Sequence, residues 1–440
     1  MAETKYHTKG LECWDKAKEL RTKYYKDYAK AHDRGALRWE GGAWSFDALP
    51  QALEGEVHPL TEEPYGASVG ADPETQVRYQ EAAEGKWGCA RDLCAYLRSY
   101  WGSIILDEYF FGGKWPKADF IFQNHICCSH GKWLQVVAEL EGGQIPYFCF
   151  DVGAGPYDKI GERQINYVVE QLYDGIEFLE KTTGRKIVDE KLIQNVYNTY
   201  RSACYWSKVC ELNQAIPAPL DEKSMYSLYV LGTLQKSSQE IADFYVELYE
   251  EVKERVANQI AAVGNERCRV LGDSQPPWGF LRILRYMEEY GIVSIGSLYT
   301  FSLIGWWQID DDGNLVPYPT LEDQGITIKD REHALRLLAE GELRGKLMWA
   351  PFYGAKFKNE LVKKIARQWK CDAAMIHLNR GCEGTAMHQM ELKIALAETG
   401  LPVMTYEGNM ADEREFDEAR DMRLIDLFLT ETMGLKKLAD

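Results

Sequence analysis

The sequence predicts an α/β protein of two similar halves, each on a parallel sheet, with extra helices at the N-terminus and in the middle. Three observations lead there. The apolar run Ala118-Asp119-Phe120-Ile121-Phe122 stops at Asn124-His125-Ile126-Cys127, and Ala373-Ala374-Met375-Ile376-His377-Leu378 stops at Asn379-Arg380-Gly381-Cys382. In both places an Asn precedes a Cys by three residues. Each Cys is followed by a helical pattern and a second strand, so that 24 residues separate Cys127 from Asp151 and 25 separate Cys382 from Glu407. Such repeats suit parallel sheets with right-handed crossovers. Ligands in open α/β sheets sit at strand ends, so the two ends read as facing one shared site.

The elements follow in order. Residues 10–35 read as a helix rich in Lys, Asp and Tyr. Trp39-Glu40-Gly41-Gly42-Ala43-Trp44 reads as loop, followed by a short strand at 55–60 and proline turns near Pro59 and Pro64. Asp72-Pro73 opens a helix, with Pro in the first helical position. Helix resumes from about Cys89 to Ile105, with Cys94, Leu97 and Trp101 on one face. A strand at 118–123 leads through Cys127 to a helix with Trp133, Val137 and Leu140 inward. Gly142-Gly143 stops it, and residues 145–150 form the next strand, ending at Asp151. Residues 158–212 read as two long helices split at Gly184, with Asp189 capping the second. A further helix spans about 221–262. Strands at 269–273 and 292–296 flank a helix that Pro276-Pro277 opens and that carries Phe280, Leu284 and Met287. Residues 308–345 read as loop then helix, and a helix at 356–369 leads into the strand ending at Asn379. After Cys382 a helix carries Met387, Met390, Ile394 and Ala397, and a strand at 403–406 ends at Glu407. The predicted divisions are a helical segment 1–36, a first α/β domain 37–218, a connecting helix 219–264 and a second α/β domain 265–440.

Composition excludes several function classes. The 440 residues carry a formal charge of −17, which gives no footprint for nucleic acid or anionic lipid. No apolar run approaches the roughly 18–20 residues that span a bilayer, and the N-terminus lacks a signal-peptide core. A cytoplasmic location is expected. Eleven cysteines, an odd number without a CxxC, make neither a secreted disulfide framework nor a zinc ribbon. No P-loop is present: Gly341-Glu342-Leu343-Arg344-Gly345-Lys346 is one residue short and Leu347 replaces the Ser or Thr. No GxGxxG follows a strand, so any ATP or NAD chemistry belongs to another chain.

Among the thiols, Cys94, Cys127 and Cys382 stand out, one on a helix face and two at strand ends. Three thiolates gathered from distant positions suit an iron–sulfur cubane with one open iron; otherwise each is a small buried hydrophobe. Cys204 and Cys210 read as core, Cys149 and Cys268 as packing, Cys371 as preceding a strand and Cys13 as near the surface. Cys89 and Cys128 stay ambiguous, since adjacent thiols such as Cys127 and Cys128 do not easily reach one iron. His125 and His130 flank the Cys127 loop as proton donors or surface residues. Asp151 and Glu407 orient a ligand or cap a helix. Tyr299-Thr300-Phe301 and Trp306-Trp307 wall an apolar pocket or pack a core or subunit interface.

At Arg91-Asp92-Leu93-Cys94-Ala95-Tyr96, at Cys127 with Lys132-Trp133, at Pro276-Pro277-Trp278 and at Cys382, the chain resembles the benzoyl-CoA reductase and 2-hydroxyacyl-CoA dehydratase family. The resemblance covers nearly the whole length. It implies two Rossmann-like domains and a [4Fe-4S] cluster held by Cys94, Cys127 and Cys382. It also implies a related second core subunit, ATP-hydrolysing iron–sulfur activator subunits, and ferredoxin as the indirect electron source. Within the family, Arg38-Trp39-Glu40-Gly41-Gly42-Ala43-Trp44 looks most like the larger core subunit of the ATP-dependent benzoyl-CoA reductases. The expectation is therefore an oxidoreductase that reduces an aromatic acyl-CoA ring to a cyclic dienoyl-CoA. The alternatives are a 2-hydroxyacyl-CoA dehydratase acting through a ketyl radical and a non-catalytic electron-relay subunit.

Overall fold

The computed structural model describes residues 4–152, 159–382 and 384–438. Helix α1 (Trp14–Lys30) forms inside the predicted segment and buries Tyr24, Tyr25 and Tyr28. The stretch read as loop then opens with strand β1 (Leu37–Gly41), buried along nearly its whole length. A strand covered on both faces, with Glu40 inside, shows no alternation to read. Strand β2 (Val57–Thr61) takes the predicted place. It lies at a sheet edge, where Pro59 is tolerated.

Helix α2 (Glu62–Val69) starts where a turn is predicted. Pro64 falls in its first turn, where a missing N–H costs nothing. Helix α3 (Pro73–Ala82) starts as expected, with Asp72 Oδ1 accepting from the Thr75 amide at 3.2 Å. Helix α4 (Ala95–Leu106) begins at Ala95 rather than Cys89, so Cys94 is its N-cap residue and not part of a helix face. Gly102 lets α4 press against α3, because a Cβ there would run into the backbone of Tyr79. Strand β3 (Phe120–His125), helix α5 (Cys128–Leu140) and strand β4 (Tyr147–Asp151) complete the first predicted unit.

Position 158, the expected onset of the next helix, lies outside the described residues. Helices α6 (Glu162–Thr183) and α7 (Asp189–Leu212) part at Gly184, whose φ of 67° is left-handed. Asp189 sits inside α7, after the N-cap Val188. The single helix expected over 221–262 is two, α8 (Glu222–Gln235) and α9 (Gln239–Ala257). Ser237-Ser238 breaks the run, since serine favours caps over helix interiors.

The second half opens with β5 (Cys268–Asp273), α10 (Arg282–Glu288), β6 (Ile292–Ser294) and α11 (Leu298–Ser302). A small antiparallel hairpin, β7 (Trp307–Ile309) with β8 (Leu315–Pro317), replaces part of the expected loop. Helices α12 (Arg331–Glu340) and α13 (Ala355–Gln368) lead to β9 (Ala373–Asn379). Helix α14 (Gln389–Ala397), β10 (Val403–Gly408) and α15 (Glu418–Leu427) close the chain. On α14 the buried face is Gln389, Leu392, Ala395 and Leu396, whereas Met390 and Ile394 point to solvent.

The two large sheets are wholly parallel, as predicted, and share one strand order. The first runs β2-β1-β3-β4 and the second β6-β5-β9-β10. Each therefore reverses direction between its first strand and the strand that precedes its cysteine. That reversal opens a crevice at the carboxyl ends of the strands. The chain is thus an α/β protein of two Rossmann-like halves. No described helix is long and apolar enough to cross a membrane.

Candidate functional site

Cys94, Cys127 and Cys382, 288 residues apart at the extremes, line one cavity. Loops from the carboxyl ends of both sheets build it. Ala43 and Trp44 follow β1, Glu63 follows β2, and Ile126 and Cys127 follow β3. Gln275 follows β5, Cys382 and Thr385 follow β9, and Met410 follows β10. The aromatic walls are Trp44, Trp133, Tyr229, Trp278, Tyr299 and Phe352.

The paired Asn residues explain why the strand ends match. Asn124 Nδ2 donates to the Trp44 carbonyl at 2.7 Å, and Asn379 Nδ2 donates to Gln275 Oε1 at 2.9 Å. Each Asn thus fastens its cysteine loop to the loop after the neighbouring strand in its own sheet. Asn379 Oδ1 also accepts from the amides of Gly381 and Met410.

Each thiol has donors arranged around it. Cys94 and Cys127 are the N-cap residues of α4 and α5, where the helix dipole favours negative charge. Burial pushes the Cys94 thiol well above its usual range; the Leu97 amide opposes this, and the charges of Cys382 and Cys127 add to it. Burial likewise raises Cys127, against the pull of the His130 amide and with the charge of Cys382. Cys382 Sγ accepts from Gln275 Nε2 at 2.8 Å and from the Thr385 amide at 3.4 Å. Three thiols that penalise one another as bare thiolates, each supplied with N–H donors, are the donor set an iron–sulfur core neutralises. The residues present fit a [4Fe-4S] group.

Beside the thiols lies a polar pair. His130 Nε2 and Glu63 Oε1 are 2.6 Å apart, and Glu63 also accepts from the Ala43 amide at 2.7 Å. Glu62 is buried behind them with neither oxygen hydrogen-bonded, and its Oε1 lies 3.8 Å from His130 Nε2. Burial drives Glu62 well above the carboxylate range. Burial opposes ionisation of Glu63 too, but His130 holds it below its ordinary value. Adjacent carboxyls are thus shifted in opposite directions. The sequence singles out His130 but not the two glutamates; their position straight after the β2 run, matching the strand-end cysteines, is the signal that marks them.

The other candidate residues separate cleanly. His125 and Cys128 are exposed, and Cys89 is half-buried. Cys204, Cys210 and Cys268 are buried, whereas Cys13, Cys149 and Cys371 are half-buried. Asp151 accepts from the Tyr167 hydroxyl, and Glu407 pairs with Arg380 and Arg420, so neither caps a helix. Of the aromatic cluster, Tyr299 reaches the cavity while Phe301, Trp306 and Trp307 are core.

Residues 43–424 match the family model described as 2-hydroxyglutaryl-CoA dehydratase, D-component. The chain is 24% identical over 415 residues to the (R)-2-hydroxyisocaproyl-CoA dehydratase alpha subunit of Clostridioides difficile, covering 91% of each chain. It is 25% identical over 448 residues to the (R)-phenyllactyl-CoA dehydratase alpha subunit of Clostridium sporogenes, covering 97% of this chain and 100% of that one. It is 24% identical over 311 residues to the (R)-2-hydroxyglutaryl-CoA dehydratase subunit alpha of Acidaminococcus fermentans, covering 69% of this chain and 58% of that one. These relatives overturn the expectation of an aromatic-ring reductase of the benzoyl-CoA type and its oxidoreductase class. Each is named as a dehydratase subunit, and dehydratases are lyases.

Proposed function

The chain belongs to the 2-hydroxyglutaryl-CoA dehydratase D-component family, and from that premise we propose that it is the alpha-type subunit of a 2-hydroxyacyl-CoA dehydratase. The reaction removes water from a 2-hydroxyacyl thioester to give the unsaturated acyl-CoA, through a ketyl radical. The apolar, aromatic walls suit an acyl group with a bulky apolar side chain. Cys94, Cys127 and Cys382 would hold a [4Fe-4S] cluster, which would supply single low-potential electrons when bound; dehydration would consume no net electron, so the electron would be recycled.

The chain's own residues do the rest. Trp44, Trp133 and Trp278 keep water from the thioester. The His130–Glu63 pair lies on the same cavity and holds a proton at Nε2, ready to exchange with the substrate. Burial, with the charge of Glu63, holds the Glu62 carboxyl above its ordinary value behind them, while, against burial, His130 draws Glu63 below its own. A related second subunit completes the core, an ATP-hydrolysing iron–sulfur activator delivers the first electron, and ferredoxin feeds the activator indirectly.

The observation that carries this reading is the meeting of three cysteines from three separate segments on one aromatic cavity. The test is anaerobic reconstitution of the full chain with its second subunit, followed by iron and sulfide analysis. Cys94→Ala, Cys127→Ala and Cys382→Ala should each lower iron and sulfide and abolish dehydration of a 2-hydroxyacyl-CoA. Unchanged iron in all three variants would sink the ligand assignment. Product strictly proportional to ATP, rather than many turnovers per ATP, would sink the recycled electron.

A further inference from the structure

Resting on the acyl-CoA reading above, we infer that the groove between α1 and the turn at 109–112 binds the phosphoadenosine end of the thioester substrate. The cavity cannot do this itself. None of its lining residues is Lys or Arg, and the chain carries a formal charge of −17. A nucleotide handle with several phosphate charges needs cations that nothing else neutralises.

The groove, ≈ 520 Å³, supplies them: Arg21, Lys26 and Lys30 line it. Lys16 and Lys23 of α1 pair with carboxylates, Glu247 at 2.5 Å and Glu240 at 2.7 Å, and Lys18 is exposed outside the groove. Among the described residues Arg21, Lys26 and Lys30 have no carboxylate partner. Three of the unpaired cations of this helix thus line the groove.

An aromatic platform accompanies them. Phe111 is 43% exposed and stacks on buried Tyr25, with centroids 3.7 Å apart and planes 18° from parallel. The turn that carries it is held by Gly112 N–H to the Tyr109 carbonyl at 2.8 Å and by Phe110 N–H to the Tyr65 hydroxyl at 2.9 Å. A fixed ring backed by another ring, with cations at its rim, is what a purine bearing phosphates requires.

Helix α2 puts the groove in range of the thiols. Pro64 and Ala67 line the cavity, while Ser68 and Ala71 line the groove. Ser68 and Ala71 each follow Pro64 and Ala67 by four residues, so the two spaces are neighbours one helical turn, roughly 5–6 Å, apart. The long flexible arm between the nucleotide and the thioester sulfur covers such a distance.

The experiment uses the full chain with its second subunit. Equilibrium binding of CoA, 3′-phospho-ADP and ATP is measured for wild type, Lys26→Glu/Lys30→Glu, Lys30→Gln and Phe111→Ala. Wild type should bind CoA and 3′-phospho-ADP competitively. The double variant should weaken both at least tenfold and flatten their salt dependence, with KM for acyl-CoA rising while kcat at saturation holds. Lys30→Gln keeps the test open if a larger change disturbs folding. CoA affinity unchanged in the double variant and in Lys30→Gln would overturn the inference, as would ATP binding that CoA does not displace. An acyl-pantetheine thioester, which lacks the nucleotide, separates the two readings. Its dehydration at equal rates by wild type and the double variant leaves the enzyme reading standing whatever the groove does; failure of every acyl thioester to react fells the enzyme reading alone.

Discussion

Arg98 Nη1 donates to Asp412 Oδ2 at 2.9 Å, and both side chains are wholly buried. The bond joins α4, which Cys94 caps, to the loop after β10 in the other half. Glu84 bonds Arg98 at 2.7 Å, and Arg414 bonds Asp412 at 2.8 Å, closing a ring of four charges. Trp278 Nε1 adds a tie to the Tyr96 hydroxyl at 2.6 Å. Breaking a buried pair from one side leaves a charge without compensation. Asp412→Ala should cost about 3–5 kcal/mol of stability in urea denaturation. Burial works against ionisation of Asp412, but Arg414 and Arg98 hold its carboxyl below the ordinary value. Its contribution is therefore full above about pH 4 and lost as pH falls through the lowered native value. A loss below about 1 kcal/mol would put this network in the class of surface pairs.

Glu63 and Glu62 should respond oppositely to the same change. Glu63→Gln removes the ionised partner of His130 and should lower kcat about 10²–10⁴-fold, with a changed pH profile. Glu62→Gln keeps the size of a side chain whose ionisation burial already opposes, and should leave kcat close to that of wild type. Steady-state kinetics across pH and a melting curve for each variant decide the matter. Equal kinetic loss in both would show that the two carboxyls act as one unit.

Gln275 should tune whatever Cys382 binds. Its Nε2 donates to Cys382 Sγ at 2.8 Å, and N–H donors to a thiolate stabilise the more negative state. Gln275→Leu should shift the reduction potential of a reconstituted cluster to more negative values while iron content persists. An EPR-monitored redox titration reads this directly, and an unshifted midpoint would dissociate Gln275 from the redox chemistry.

Lys346 marks a buried charge with a pH signature. Its Nζ is fully buried, bonds Glu342 Oε1 at 2.6 Å and lies 4.7 Å from the Trp44 ring centroid. Burial lowers its pKa to about 7, against the pull of Glu342. Between about pH 7 and pH 10 the unfolded chain keeps a proton that the native chain has released. Stability should rise with pH there, by up to about 1.4 kcal/mol per unit. Lys346→Met should abolish that slope, as denaturation at a series of pH values would reveal.

Much of the fold is legible in the sequence because the repeated units announce themselves. Two strand ends carry Asn and Cys in the same spacing, and the structure gives both sheets one strand order. What stays hidden is covered on every side or held by distant partners. Strand β1 has no exposed face to set a period. The ends of α8 and α9 depend on serines inside an otherwise helical run. At the site, cysteine is rare enough to notice, whereas Glu62 and Glu63 look like any charged pair until burial removes their solvent. Met390 and Ile394 mislead in the other direction, since apolar residues at helical spacing need not face inward.

Both sheets send loops to the cavity, with Cys127 after β3 of one and Cys382 after β9 of the other, and Cys94 joins them from the start of α4. A cofactor gripped by all three would serve as a strut across the seam as well as a reagent. Its removal would take away that strut and leave the halves joined by the charged ring around Arg98 and by the apolar core they share. Oxygen damage at the centre would then announce itself first as faster protease cutting in the loops that carry the three cysteines, before any loss of secondary structure.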